Sequence, residues 1–407
     1  MGNKIQQRLN YDKHDPKFIL LGKVFKFIEN ENIKDIYNRY GITNRKQFVI
    51  CLKIFFIHVF FNYRISDVVS ELNRSSKLRK FAGILEVPNE SQVYEYLSRY
   101  DPENYCNIVN SILKKFFKPH KTRKDIYITD ATPVECDINI LRKYITPEHL
   151  KKLRLKFGYS NSKGYFIGYK VTVVLEKTTK TPVSILIHPG APNDSKIFDE
   201  VLKELKRRSL IKPKDIIYFD RGYFSYENYK IGINKYKIIP VIFPKEIFKI
   251  TKLQDQMAYP LLIYKNPKDI EKNKKLINHL QRLLLIKLVN WKEYKPTRGI
   301  IEDFFKSAKG AFGLGKFHSF TDKSMYKNIY LCLLLTALVV QCGFKTKTQL
   351  QQLAEGKIEF KPPKNKKTKK DKKQKENNKK TKAQQKTGQQ KLEIKEKETH
   401  TTLDYFT

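Results

Sequence analysis

The chain has little that could brace it covalently. Its 407 residues include five cysteines (Cys51, Cys106, Cys136, Cys332, Cys342), and none forms a Cys-x-x-Cys pair. That argues against a disulfide framework and for free thiols in a reducing compartment. Long apolar runs are also missing. The most apolar stretch, 329–340, is twelve residues, well short of the roughly 20 that a spanning helix needs. It reads as a buried helix, so no membrane is expected. No signal peptide is visible at the N-terminus, and a cytoplasmic location is expected. Negative charge is scarce: 41 Asp and Glu stand against 81 Lys and Arg, a formal charge of +40. Residues 357–400, with 17 Lys and 6 acidic residues, account for +11 of this and leave +29 on the rest. A balance this basic implies a polyanionic partner.

What is present suffices for two or three domains, with 40% hydrophobic and 13% aromatic residues. Residues 1–16 are polar and read as loose. From 18 to 117 the texture is helical. Residues 48–61 are apolar almost all round, 64–72 carry apolar residues at helical spacing, and 91–97 form a short helix with Ser91 as N-cap. Asp101-Pro102 opens a further helix. Short helices with basic turns such as 74–79 are compatible with helix-turn-helix DNA binding, and an ordinary helical bundle fits equally well. Strands begin at 126. After a polar, basic stretch to Lys163, residues 164–175 and 182–188 read as a hairpin. Then come an amphipathic helix at 195–207, a strand ending at Asp220, a helix near 225–233 and a strand at 238–242. This order predicts an α/β fold: a mixed sheet flanked by helices, in the ribonuclease H-like order. Residues 243–295, with a helical piece at 275–289, read as an insertion before helices at 299–311 and 326–342. The expected division is a helical, DNA-binding region 1–120, a catalytic domain 121–345 and a Lys-rich low-complexity tail 346–407. The tail, from 361 to 397 above all, has too little apolar surface to fold and is expected to be disordered.

Three acidic positions stand out. Ile126-Tyr127-Ile128-Thr129-Asp130 and Ile216-Ile217-Tyr218-Phe219-Asp220 are β-rich runs that stop on aspartate, the second followed by Arg221-Gly222-Tyr223. The third is Glu302, on a helical segment between Arg298 and Lys309. Carboxylates suit hard cations such as Mg²⁺. Two such ions about 4 Å apart activate an attacking oxygen and stabilise a leaving one at a phosphodiester. At 100° per residue, Arg298, Glu302 and Lys309 fall within about 40° of one another. Ile301, Phe304, Phe305, Ala308 and Phe312 make a neighbouring apolar stripe. One face can bury while the next presents Glu302 to a site and Arg298 and Lys309 to phosphates. Singly these signals are weak: a lone strand-end Asp is usually a turn former or cap, and such a Glu is usually a solvated helix face. Asp125, Asp137, Asp194 and Asp303 compete nearby. Asp194 is expected to cap the following helix and Asp303 to face solvent.

In these residues the chain resembles the DDE transposases of prokaryotic insertion sequences, in the branch whose last motif is Tyr-x2-Arg-x3-Glu-x6-Lys. Arg298-x3-Glu302-x6-Lys309 fits at every spacing, and Tyr294 lies one residue further from Arg298 than the motif has it. Ile128-Thr129-Asp130-Ala131-Thr132 resembles the first motif, and Asp220-Arg221-Gly222-Tyr223, with 190–196 upstream, the middle one. The resemblance implies a ribonuclease H-like core in which Asp130, Asp220 and Glu302 are catalytic and bind Mg²⁺, with Mn²⁺ able to substitute. It implies double-stranded DNA as partner, at the element's terminal repeats and at the target, and location at the nucleoid. It implies cleavage of the element's ends and joining of the 3′-OH to target DNA by a homodimer in a synaptic complex. Arg298, Lys309, Tyr294 and Arg221 would contact DNA. A β-rich insertion before Glu302 is also implied, where 243–295 is short and partly helical. Two rivals stand beside this reading: a metal-dependent nuclease of the same fold that never joins, and a non-catalytic DNA-binding protein on a degenerate transposase fold. The presence of all three acids argues against the second.

Overall fold

The computed structural model describes residues 9–117, 125–137, 148, 156–160, 164–257, 267–315, 317–319 and 321–355. The chain from 1 to 359 is one compact unit. The expected disordered tail from 361 to 397 lies outside the described residues.

The first part is helical, as its periodicity predicts. Helix α1 (Pro16–Glu29) starts on a proline, which costs nothing where the N–H has no partner anyway, and Asp15 caps it by accepting from the Lys17 N–H. Residues 9–15 before it pack on the fold, contrary to the loose stretch expected there: Leu9 is buried and Tyr11 stacks on Phe81 at 4.9 Å. Helix α2 (Glu31–Arg39) follows, then α3 (Arg45–Phe61), capped by Asn44 and buried on nearly every side. Asn62, at φ 58°, ends α3 in the left-handed region that asparagine tolerates. The chain bends by 110° into α4 (Ile65–Arg74). Helices α5 (Ser76–Ala82), α6 (Glu90–Ser98) and α7 (Pro102–Phe116) complete the region. The cap of α6 is Asn89, in a reciprocal pair with Gln92, rather than Ser91. The cap therefore lies two residues earlier than expected.

The sheet has strands β1 (Ile126–Glu135), β2 (Phe157–Ser160), β3 (Gly164–Glu176), β4 (Pro182–Pro189), β5 (Ile216–Phe219) and β6 (Ile239–Ile242). Its order is β2-β3-β1-β5-β6, with β4 on the other edge of β3. β1, β3 and β4 pair antiparallel, while β1, β5 and β6 are parallel. This is the ribonuclease H-like order read from the sequence. Helix α8 (Asp194–Arg207) connects β4 to β5. A short helix α9 (Tyr226–Lys230), continued by a π turn, connects β5 to β6. β2 was not expected: Phe-Gly-Tyr-Ser is short and sits in a stretch that reads as polar loop.

After β6 the described chain is helical: α10 (Ile250–Met257), α11 (Pro267–Val289) and α12 (Trp291–Tyr294). Among the described residues the insertion contains no strand, contrary to the β-rich character that the resemblance implies. Helix α13 (Arg298–Gly310) buries Ile301, Phe304, Phe305 and Ala308, the stripe read from its sequence, against α14 and β1. Each large side chain of that stripe contributes about 2 kcal/mol. Helix α14 (Asp322–Gln341) is apolar and long enough to cross a membrane, but it is mostly buried among α7, α1, α13 and β4. Residues expected to open the tail instead form a capped helix, α15 (Lys347–Ala354), on α13 and α1.

Helical region and sheet are stitched together by a buried amide. Asn110 of α7 donates to the Ile185 carbonyl (3.0 Å) and accepts from the Ile185 N–H (2.7 Å), closing the free edge of β4.

Candidate active site

β1 and β5 run parallel in the register Thr129↔Phe219, so Asp130 and Asp220 follow at the same level. Their environments differ. β5 stops there, and Asp220 leads into a 3₁₀ turn, Arg221–Tyr223. Asp130 is not at a strand end: β1 continues five residues further, paired with β3. The sequence reading stopped early because Ala131-Thr132-Pro133 lacks apolar alternation.

Asp130 is half-buried, with Oδ1 accepting from the Ala131 N–H at 2.8 Å. Burial pushes its carboxyl up to about 7, and the nearby Asp220 and Asp194 charges add to this. The Ala131 N–H and the Arg298 guanidinium oppose the shift. Arg298 opens α13 and stands between the other two acids: Nη1 is 3.1 Å from Asp220 Oδ1, and Nε is 3.2 Å from Glu302 Oε1. Its side chain and that of Glu302 are half-exposed, so this cation is open to solvent. Helix spacing explains one contact, since residues four apart share a face; the packing of α13 on β1 makes the other.

The remaining expected residues are spread more widely. Lys309 lies in the last turn of α13, about 10 Å along the helix from Glu302. Arg221 is exposed on the turn beyond Asp220. Tyr294 packs against Tyr218 (5.5 Å between rings), with the Lys287 ammonium 4.4 Å from its ring centre.

Asp194 belongs to the neighbourhood although it was expected only to cap a helix. The cap of α8 is Asn193, which accepts from the Ser195 N–H. Asp194 instead pairs with Lys170 of β3 at 2.8 Å. Its Oδ2 fills the place a Cβ at Gly222 would take, 2.7 Å away. A side chain at the glycine of Asp220-Arg221-Gly222-Tyr223 would push this carboxylate aside. The Tyr223 hydroxyl is fully buried beside Thr172, and burial with the Asp194, Asp130 and Asp220 charges holds its pKa well above 10. The sequence signal for Asp194 was the Asn193-Asp194 pair: only one of two cap formers can cap.

The other acidic competitors lie elsewhere. Asp137 pairs with His318, and Asp125 sits at the opposite end of β1 beside Lys212. Asp303 is half-buried rather than facing solvent outright.

Among the described residues no three His, Cys, Asp or Glu side chains are gathered tightly enough to hold one ion. The donor chemistry nevertheless suits hard cations. Asp130 and Asp220 repel each other at one strand level, and Arg298 supplies the positive charge between Asp220 and Glu302.

No curated protein matches the chain. Among solved structures, one described as the cryo-EM structure of the piggyBac transposase synaptic complex with hairpin DNA shares 12% identity, with 90% of this chain and 89% of that chain covered. Its TM-score of 0.32 is too low to bear on the fold. The family profile "Transposase DDE domain" matches residues 121–340, more than half of the chain and the whole of the sheet, α13 and nearly all of α14. The chain therefore belongs to the family of transposases with a DDE domain.

Proposed function

We propose that the chain cuts the ends of a prokaryotic insertion sequence and joins the freed 3′-OH to target DNA, with Asp130, Asp220 and Glu302 as the catalytic acids. The observation that carries this reading is the convergence of Arg298 on Asp220 and Glu302, beside a half-buried Asp130 whose pKa is pushed up to about 7. The three acids would hold Mg²⁺, for which Mn²⁺ can stand in. Bound cations there would supply charge stabilisation at the attacking and leaving oxygens of a phosphodiester.

The protein's own groups do the rest. Arg298 can fork two phosphate oxygens once it leaves the carboxylates, and Lys309 and exposed Arg221 extend the positive surface along the backbone. Tyr294, held against Tyr218, would contact DNA beside them. The basic helical region, 1–120, would grip double-stranded DNA, and two copies would pair the two ends. Such a protein works in the cytoplasm at the nucleoid.

The test is a strand-transfer assay. A pre-cut duplex from the DNA flanking the coding sequence is incubated with supercoiled plasmid and Mg²⁺. Joined product is expected from the wild type and not from Asp130→Asn. Cutting without joining would turn the reading into that of a nuclease. DNA binding with neither reaction would make it a degenerate relative.

A further inference from the structure

The strand that flanks Asp130 continues past the acids into a two-stranded ribbon. β3 pairs with β1 from Glu176 down to Gly168, and its first four residues pair with β2 instead. β5 ends level with the acids, so the ribbon projects from the same end of the sheet. Asp130 faces Val173, and side chains alternate. Val173, Val171, Tyr169, Ile167 and Tyr165 therefore share the Asp130 face. The register Phe157↔Ile167 and Tyr159↔Tyr165 adds Phe157 and Tyr159 to it.

Those aromatics are bare: Phe157 is 71% exposed, Tyr159 57% and Tyr165 83%. The two tyrosine rings meet edge to face at 5.2 Å. The opposite face is locked. Gly158 packs against Ala191 so closely that a Cβ would come within 2.7 Å of it, and Gly190, at φ 73°, lies under the Phe157 carbonyl. The ribbon is thus packed on one face and carries three large rings on the other. Exposed clusters of this kind mark interaction sites.

The chain around it is basic. Lys156 is exposed beside the rings; Lys151, Lys152, Arg154 and Lys163 are near in sequence only. Exposed rings next to the Lys156 ammonium fit nucleic acid, whose bases stack on aromatics where a step is opened and whose phosphates meet lysine.

We propose that Phe157, Tyr159 and Tyr165 stack on DNA bases at a fixed distance from the cut, which deepens the transposase reading and rests on it. At about 3.3 Å per residue, the rings lie roughly 20–27 Å from Asp130 along β3. At 3.4 Å per base pair this is about six to eight steps from the scissile phosphate.

The experiment uses the full chain and duplexes from the flanking DNA, with 2-aminopurine placed singly at steps two to twelve from the cleaved end. Binding to the wild type should change the fluorescence at about six to eight steps and leave the other positions alone. Tyr159→Ala with Tyr165→Ala should abolish that change and weaken binding roughly tenfold or more. The salt dependence should not change, because no phosphate contact is lost. Tyr159→Phe with Tyr165→Phe should keep both signal and affinity. These side chains are exposed, and matching melting curves would show that the variants fold. An unchanged signal in the alanine variant, or a signal at other positions, overturns the proposal. So does a DNA-free wild-type dimer that falls to monomers in the alanine variant, which would give the surface to a second copy. Cleavage of the same duplexes by the wild type is scored separately. Its absence with the ring signal intact would sink the enzyme reading and spare the ribbon.

Discussion

The two ends of the β1–β5 pair carry the same kinds of residue and treat them oppositely. At the N-terminal end, Asp125 and Asp215 are buried and their charges are met. Asp215 accepts from the N–H groups of Asp125 and Lys212, both at 2.9 Å. The Lys212 ammonium sits 2.5 Å from Asp125 and 3.3 Å from Asp215. Burial still raises Asp215, but every other influence on it pulls downward. At the C-terminal end, Asp130 is raised by burial and then raised further by two more carboxylates. Its counter-charge, Arg298, is half-exposed and divided between other acids. One end is closed electrostatics that positions strands. The other is an unbalanced cluster open to solvent, the condition in which added cations gain most.

Changes at the two ends should therefore show up in different measurements. The largest effect is expected for Asp220→Asn or Asp130→Asn: a loss of cleavage and joining on the order of 10³-fold or more, with the thermal unfolding midpoint held or raised. Next is Lys212→Met, which strands two buried carboxylates and should cost about 2–3 kcal/mol of stability in denaturant unfolding, the partial exposure of Lys212 keeping it below a fully buried pair. Folded Lys212→Met protein should bind Mn²⁺ like wild type. Gly222→Ala drives a Cβ into Asp194 and shifts the turn behind Asp220. It should lower activity roughly 10-fold to 100-fold, a cost of about 1.4–2.7 kcal/mol. Asp194→Ala added to it should restore part of the loss. If the double variant is no better than Gly222→Ala alone, the carboxylate does not set that turn.

The most gradual effect is in pH. Asp130 is raised from its ordinary value of 3.8 to about 7. The folded, metal-free protein then binds more protons than the unfolded chain in that window, and stability must fall as pH rises through it. The slope is at most about 1.4 kcal/mol per pH unit. Asp130→Asn should flatten it, and a slope of the opposite sign would show that Asp130 is satisfied in the fold.

Much of this contrast was legible in the sequence, because it rests on short-range patterns. Alternating apolar runs gave the strand order, and 3.6-residue periodicity gave the buried stripe of α13 and the shared face of Arg298 and Glu302. Contacts between distant segments were not legible. Nothing local says that Arg298 also reaches Asp220, or that Asp194 lies under Gly222. The far half of β1 was missed because its alternation is broken by Pro133, and β2 because four residues carry almost no period. Asn89 beside Ser91 and Asn193 beside Asp194 show the same limit: adjacent cap formers are equivalent until the backbone chooses.

The central claim is that Asp130, Asp220 and Glu302 converge on shared cations. Its most direct test is anomalous scattering from crystals of the full chain soaked in Mn²⁺. The account predicts Mn²⁺ peaks about 4 Å apart between these three carboxylates, with Arg298 displaced from Asp220, and no peaks in Glu302→Gln. Mn²⁺ bound only elsewhere, with Arg298 still on Asp220 and Glu302, would contradict it.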